Sequence, residues 1–201
     1  MLWSQDEYIR AYHFAARAHR WQLYPGTSIP YIMHLSFVSM EIFAAQGGFE
    51  PPLRAPTPRG VGAGSPSPQE QLPFNMDLAL QCALLHDVLE DTHVRYEQVR
   101  DEFGEAVADG VRALTIDKRL PKSEQMAECL PRIRQQPREI WMVKLADRIT
   151  NLQPPPRHWS KARIRDYHLE AQLILASLSE ASPFLAERLR AKISAYAAFV
   201  A

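Results

Sequence analysis

The 201-residue chain has only two cysteines, Cys82 and Cys129. Their spacing suits neither a disulfide framework nor a zinc pair. Cys82 lies inside an apolar run and reads as a small core residue. An excess of one charge is also missing, since Lys+Arg and Asp+Glu number 23 each. A balanced chain carries no signature of a nucleic-acid or acidic partner. No apolar run is long enough to span a membrane. The start, MLWSQDEYIR, has early acids and no leader-like apolar region. These absences predict a soluble protein in a reducing, cytoplasmic setting, with neither nucleic acid nor membrane as partner. Strand-like alternation and internal repeats are absent as well. The expectation is an all-α fold of about eight to nine helices, in a single domain over residues 1–201.

What the chain does have is helical periodicity, punctuated by caps and turns. Ser4 with Glu7 forms a capping-box pattern, and a helix is expected to about Arg20. Its last turn is basic, with Arg17, His19 and Arg20. This is either ordinary helix-end electrostatics or an anion site. QLYPGTSIP at 22–30 reads as a loop. A second helix is expected from Pro30-Tyr31 to Gly47-Gly48, with His34 in its first turn. Seven of the sixteen prolines and five of the eight glycines fall between Gly47 and Pro73. We read about 47–75 as an insertion in one helical domain, either a passive loop or a flap.

The stretch LALQCALLHDVLEDT at 78–92 starts as a buried helix and then takes on His86, Asp87, Glu90 and Asp91. At ~100° per residue on a continuous helix, His86 lies above Glu90 and Asp87 above Asp91. Crowded carboxylates repel unless a cation sits among them. Further on, RYEQVRDEFG and GEAVADGVRALT read as two helices separated at Gly104. TIDKRLPK is a basic loop, followed by a polar helix that Pro131 is expected to interrupt. REIWMVKLADRITNL at 138–152 is apolar except for Lys144, Asp147 and Asn151 on one face. Lys144 and Asp147 could simply pair, but an acid in so apolar a helix needs some partner. Trp159, Arg163 and Tyr167 recur every four residues on the next helix. They form either a packing face or a seat for a purine or phosphate.

His34, His86, Asp87 and Asp147 are the candidate metal ligands, placed on three apolar helices that could meet in one core. Nitrogen and carboxylate donors without thiolate suit Mn²⁺, Fe²⁺ or Zn²⁺. FAARAHR at 14–20, PYIMH at 30–34, ALLHDVLEDT at 83–92 and VKLADRITNL at 143–152 resemble the hydrolase domain of stringent-response alarmone enzymes. That domain is a helical bundle of the HD-domain metal phosphohydrolases. The chain's length, without a synthetase region, resembles a small alarmone hydrolase. The resemblance implies Mn²⁺-dependent removal of the 3′-pyrophosphate from a guanosine or adenosine alarmone, with Mn²⁺ replaceable by another divalent metal. It implies metal binding by His34, His86, Asp87 and Asp147, and orientation or activation of water by Glu90 and Asp91. It further implies base contact by Arg17, ribose-side contact by Asn151, and contacts around the ribose and 5′-phosphates by Arg163 and Tyr167, with Lys144 as a nearby cation.

The sequence departs from that pattern at Leu23-Tyr24-Pro25, where relatives often have basic residues, and at Ala18, where a close relative has Lys. The purine preference, the number of 5′-phosphates and the oligomeric state stay open. So do two other functions: a nucleotide phosphatase of the same fold, such as one acting on the 2′-phosphate of NADPH, and a silent nucleotide-binding regulator.

Overall fold

The computed structural model describes residues 3–48 and 74–200. The central part of the segment read as an insertion, 49–73, lies outside the described residues. The described chain is all-α: its only β pairing is an isolated bridge between Leu23 and Pro30. Ten α-helical segments follow one another: α1 (Gln5–Ala18), α2 (Ile32–Phe43), α3 (Met76–Leu85), α4 (Val88–Asp91), α5 (Tyr96–Phe103), α6 (Glu105–Leu114), α7 (Lys122–Arg134), α8 (Arg138–Asn151), α9 (Lys161–Leu178) and α10 (Pro183–Tyr196). α4 is a single turn of four residues, so nine of the ten are full helices.

Two helices are surrounded by the rest. Every residue of α3 except Asp77 is buried, and so is α8 from Glu139 to Thr150 apart from Trp141. A helix apolar on nearly all sides can only be an interior element. α3 packs against α1, α2, α6 and α8, while α8 also meets α2, α9 and α10. Leu80, Leu84, Leu85, Ile140, Met142, Leu145 and Ile149 fill the space between them. Gly110 on α6 permits a close approach there: a Cβ at this position would lie 2.6 Å from Ile140 Cδ1 and 2.9 Å from Cys82 Sγ.

Side-chain caps start several helices. Asn75 accepts from the Leu78 N–H at 3.0 Å, and Ser160 and Ser182 accept from the N–H three residues on. Gly104, at φ 88°, turns the chain between α5 and α6, a conformation that favours glycine.

Three local expectations are corrected. The run 78–92 is not one helix; it breaks at His86-Asp87, where Asp87 has φ −100° and ψ −2°. Pro131 does not interrupt α7, which continues to Arg134. A proline inside a helix costs about 3 kcal/mol, but Met126, Cys129, Leu130 and Ile133 are buried by keeping it continuous. The capping box at Ser4 is half formed. Its Oγ accepts from Glu7 N–H at 3.2 Å, but its own N–H donates to Asp77 Oδ1 at 2.7 Å, not to Glu7.

Candidate active site

The break at His86-Asp87 puts an imidazole and a carboxylate at a corner between α3 and α4. α2 brings His34 to that corner from its first turn, and α8 brings Asp147. His34 Nε2 and His86 Nε2 face each other at 3.3 Å. Asp87 Oδ2 is 3.0 Å from His86 Nε2 and 3.8 Å from His34 Nε2. Asp147 Oδ1 is 3.4 Å from His34 Nε2 and 3.7 Å from His86 Nε2. His34, His86 and Asp147 offer ligand atoms within 4.8 Å of one another, and all three residues are buried.

The outward-facing ring nitrogens are occupied. His86 Nδ1 donates to the Ala83 carbonyl at 2.8 Å, and His34 Nδ1 lies 3.3 Å from Thr150 Oγ1. A backbone carbonyl on Nδ1 keeps a hydrogen on that nitrogen and leaves Nε2 as the atom directed into the cluster. Burial alone would lower the His86 pKa, but Asp87 and Asp147 outweigh it and hold the ring well above the usual imidazole range. Burial works the opposite way on Asp147, where Lys144, His34 and His86 prevail and keep its carboxyl well below the usual range. Acceptor atoms converging in a buried space draw positive charge to it, whether a proton or a metal ion.

Other groups fix the two acids of the cluster. Tyr31 Oη donates to Asp87 Oδ2 at 2.6 Å. Lys144 Nζ donates to Asp147 Oδ2 at 3.1 Å, and Asn151 Nδ2 donates to Asp147 Oδ1 at 2.5 Å. Lys144 is buried, and in this arrangement it is Asp147's counter-ion.

Glu90 and Asp91 lie on α4, beyond the corner. Glu90 Oε2 accepts from Ile116 N–H at 3.1 Å. Lys118 Nζ donates to Asp91 Oδ1 at 2.8 Å and to the Glu90 carbonyl at 3.1 Å. Burial is the main reason that the Glu90 pKa is raised; the Ile116 N–H opposes it and Asp87 adds to it. Both acids border an open cavity of about 800 Å³, which Arg17, Arg20, Trp21, Gln22 and Lys118 also line. Arg163 and Tyr167 are not among its lining residues. Arg163 Cζ lies 4.1 Å from the Trp159 ring centroid, and the Trp159 and Tyr167 rings meet edge-on at 5.2 Å. Arg148 Cζ is 4.3 Å from the Tyr167 ring centroid. Burial raises the Tyr167 hydroxyl to about 12, with Arg148 opposing and Asp147 adding.

Several residues of this environment carried no readable signal. Tyr31 reads as a helix start, Lys118 as one charge in a basic loop, and Gln22 as a loop residue. Only folding brings them to Asp87 or Asp91, across 56, 27 and 69 positions of chain.

Residues 72–183, just over half the chain, match the family model described as HD domain. The chain belongs to the HD-domain family. The guanosine-3′,5′-bis(diphosphate) 3′-pyrophosphohydrolase MESH1 of Danio rerio is 36% identical over 118 residues, which are 55% of this chain and 64% of that protein. The Homo sapiens protein of the same name is 33% identical over 117 residues, 56% of this chain and 65% of that protein. The chain therefore spans just under two thirds of the length of these curated relatives. A longer protein named guanosine-3′,5′-bis(diphosphate) 3′-pyrophosphohydrolase, from Aquifex aeolicus, is 32% identical over 73% of this chain and 17% of its own length. The fold is shared with a solved metazoan ortholog of SpoT that hydrolyses ppGpp and plays a role in starvation responses. That likeness has a TM-score of 0.73, at 24% identity over 96% of this chain and 97% of the other. Among the described residues no helix is long and apolar enough to cross a membrane.

Proposed function

We propose that this chain, as one HD-type domain, hydrolyses the 3′-pyrophosphate of a purine alarmone such as ppGpp or ppApp. Pyrophosphate and the nucleoside 5′-di- or triphosphate would be the products. The observation that carries the reading is the corner at His86-Asp87. It joins a buried histidine–carboxylate cluster to two further acids at the edge of a cavity lined by arginines and a lysine. The curated relatives named for this reaction support it.

The residues fit a divalent ion. Two imidazole nitrogens face each other, and carboxylate oxygens approach both. The donor set of nitrogen and oxygen suits Mn²⁺ among other divalent metals. His34, His86, Asp87 and Asp147 would hold it. Such an ion supplies Lewis acidity toward water and a phosphoryl oxygen.

The chain's own residues do the rest. Asp91 orients the attacking water, and Glu90 accepts its proton, a task for which a buried carboxyl with a raised pKa is suited. Arg17 lies against the base on the cavity wall. Asn151, anchored on Asp147, reaches the ribose side. By resemblance to the family, Arg163 and Tyr167 would contact the ribose and 5′-phosphates, although neither lines this cavity, and Lys144 adds positive charge behind Asp147. Cations around a polyphosphate stabilise the charge that builds up as the phosphorus–oxygen bond breaks.

The experiment is pyrophosphate release from ppGpp and ppApp side by side with Mn²⁺, with NADPH as a third substrate. Release of pyrophosphate from either alarmone is expected. Phosphate release from NADPH alone, or nucleotide binding without turnover, would overturn the reading.

A further inference from the structure

His19, at the C-cap of α1, is only 3% exposed. Its Nδ1 lies 2.6 Å from Gln22 Oε1. An amide oxygen can only accept, so at this distance Nδ1 carries the hydrogen and donates it to the Gln22 carbonyl. That bond fixes the amide flip. With Oε1 committed to His19, the Gln22 NH₂ faces Asp91 and donates to Oδ2 at 3.3 Å. The reverse flip would set a carbonyl oxygen against a carboxylate oxygen, an acceptor against an acceptor. The Gln22 backbone is held too: its N–H donates to the His19 carbonyl, and its own carbonyl accepts from Tyr31 N–H, both at 2.9 Å. Lys118 takes the other oxygen of Asp91 at 2.8 Å. Both carboxylate oxygens are therefore occupied by donors from elements on either side. α4, a single turn, has little rigidity of its own with which to aim that side chain.

We propose that Gln22, with its amide turned by His19, is a positioning residue that aims the Asp91 carboxylate at the attacking water. This rests on the reading of Asp91 as the acid that orients the water. Gln22 lines the cavity but acts on the reaction through Asp91, away from metal and reacting atoms, so its loss should lower turnover far more than substrate affinity.

The test is a double-mutant cycle on the full chain, assayed by pyrophosphate release from ppGpp with Mn²⁺. Gln22→Glu keeps the length and an acceptor for His19 but removes the donor to Asp91. It is expected to lower kcat on the order of ten- to a hundredfold, as misplaced groups do, with a far smaller change in KM; the new carboxylate facing Asp91 lowers the melting temperature, so kcat is read where the variant is still folded. In an Asp91→Asn background the same substitution should have no further effect on kcat, because the group it aims is already disabled. If Gln22→Glu does not fold, Gln22→Met removes the donor without adding charge; it leaves the buried His19 N–H without its carbonyl and so lowers the melting temperature, with the same expectations for kcat.

Unchanged kcat in the single variant overturns the proposal. So does a raised KM at constant kcat, or an equal loss in the Asp91→Asn background. If Asp91→Asn itself turns over normally, or the unsubstituted chain releases no pyrophosphate, the underlying reading fails and takes the proposal with it.

Discussion

Glu90→Gln separates chemistry from folding. The Glu90 side chain is 18% exposed; one oxygen accepts from Ile116 N–H at 3.1 Å and the other is 3.5 Å from Lys118 Nζ. Glutamine keeps a carbonyl for Ile116 and loses only the ion pair with Lys118. That lysine side chain is 58% exposed and keeps Asp91 at 2.8 Å. A pair of this kind is worth about 0.2–1 kcal/mol, so the melting temperature should barely move. Removing a proton acceptor from the reaction typically slows it ~10²–10⁴-fold. At about 1.4 kcal/mol per decade, that is roughly 3–5 kcal/mol of barrier. The rate effect thus exceeds the stability effect several-fold, and the two are separable on one preparation. Metal content, nucleotide affinity by calorimetry and pyrophosphate release should show unchanged binding and collapsed turnover. Normal turnover in a metal-loaded Glu90→Gln protein would refute the assignment of Glu90 as proton acceptor.

The remaining predictions concern metal, substrate and packing. Asp87→Ala should lose bound Mn²⁺ and activity together, and a folded variant with full Mn²⁺ occupancy would count against the four-residue ligand set. Adding Mn²⁺ should raise the melting temperature of the chelator-treated protein, by about 2.7 kcal/mol of stability at a hundredfold excess over Kd; scanning calorimetry with and without chelator measures it. Arg163→Ala and Tyr167→Ala should raise KM more than they lower kcat, because they would touch parts of the nucleotide remote from the reacting bond. Unchanged kinetics in both would return the Trp159–Arg163–Tyr167 stripe to packing alone. Gly110→Ala should destabilise the fold by about 1–3 kcal/mol, because its Cβ would meet the buried Ile140 and Cys82 side chains at 2.6 and 2.9 Å. A denaturant midpoint equal to that of the unsubstituted protein would show that the core yields there without strain.

Reading the helices required only local information. Apolar residues at helical spacing, Ser160 and Ser182 at helix starts, and Gly104 between α5 and α6 specify elements that folding leaves where they were expected. Where local signals misled, packing had the larger energy. Pro131 breaks a helix in isolation, yet α7 stays continuous because four of its side chains are buried that way. The His86-Asp87 break is the converse case: the run reads as unbroken helix, but the regular helix gives way to a turn at these two residues.

The site divides along the same line. The sequence by itself determined which residue types were available for metal chemistry, because carboxylates and histidines inside apolar helices are costly unless they meet a partner. Asp147 stands out on that ground, whereas His34, alone on an apolar helix, reads more readily as a hydrogen-bonded core residue, and the resemblance is what singles it out. Only the tertiary structure decided who the partners are. Tyr31 on Asp87, Gln22 and Lys118 on Asp91, Ile116 on Glu90 and Thr150 beside His34 are contacts between segments distant in sequence. Nothing in a local pattern encodes such contacts, because a hydrogen bond depends on position to within a few tenths of an ångström. That position is set by how α1, α2, α3 and α8 close around a shared core.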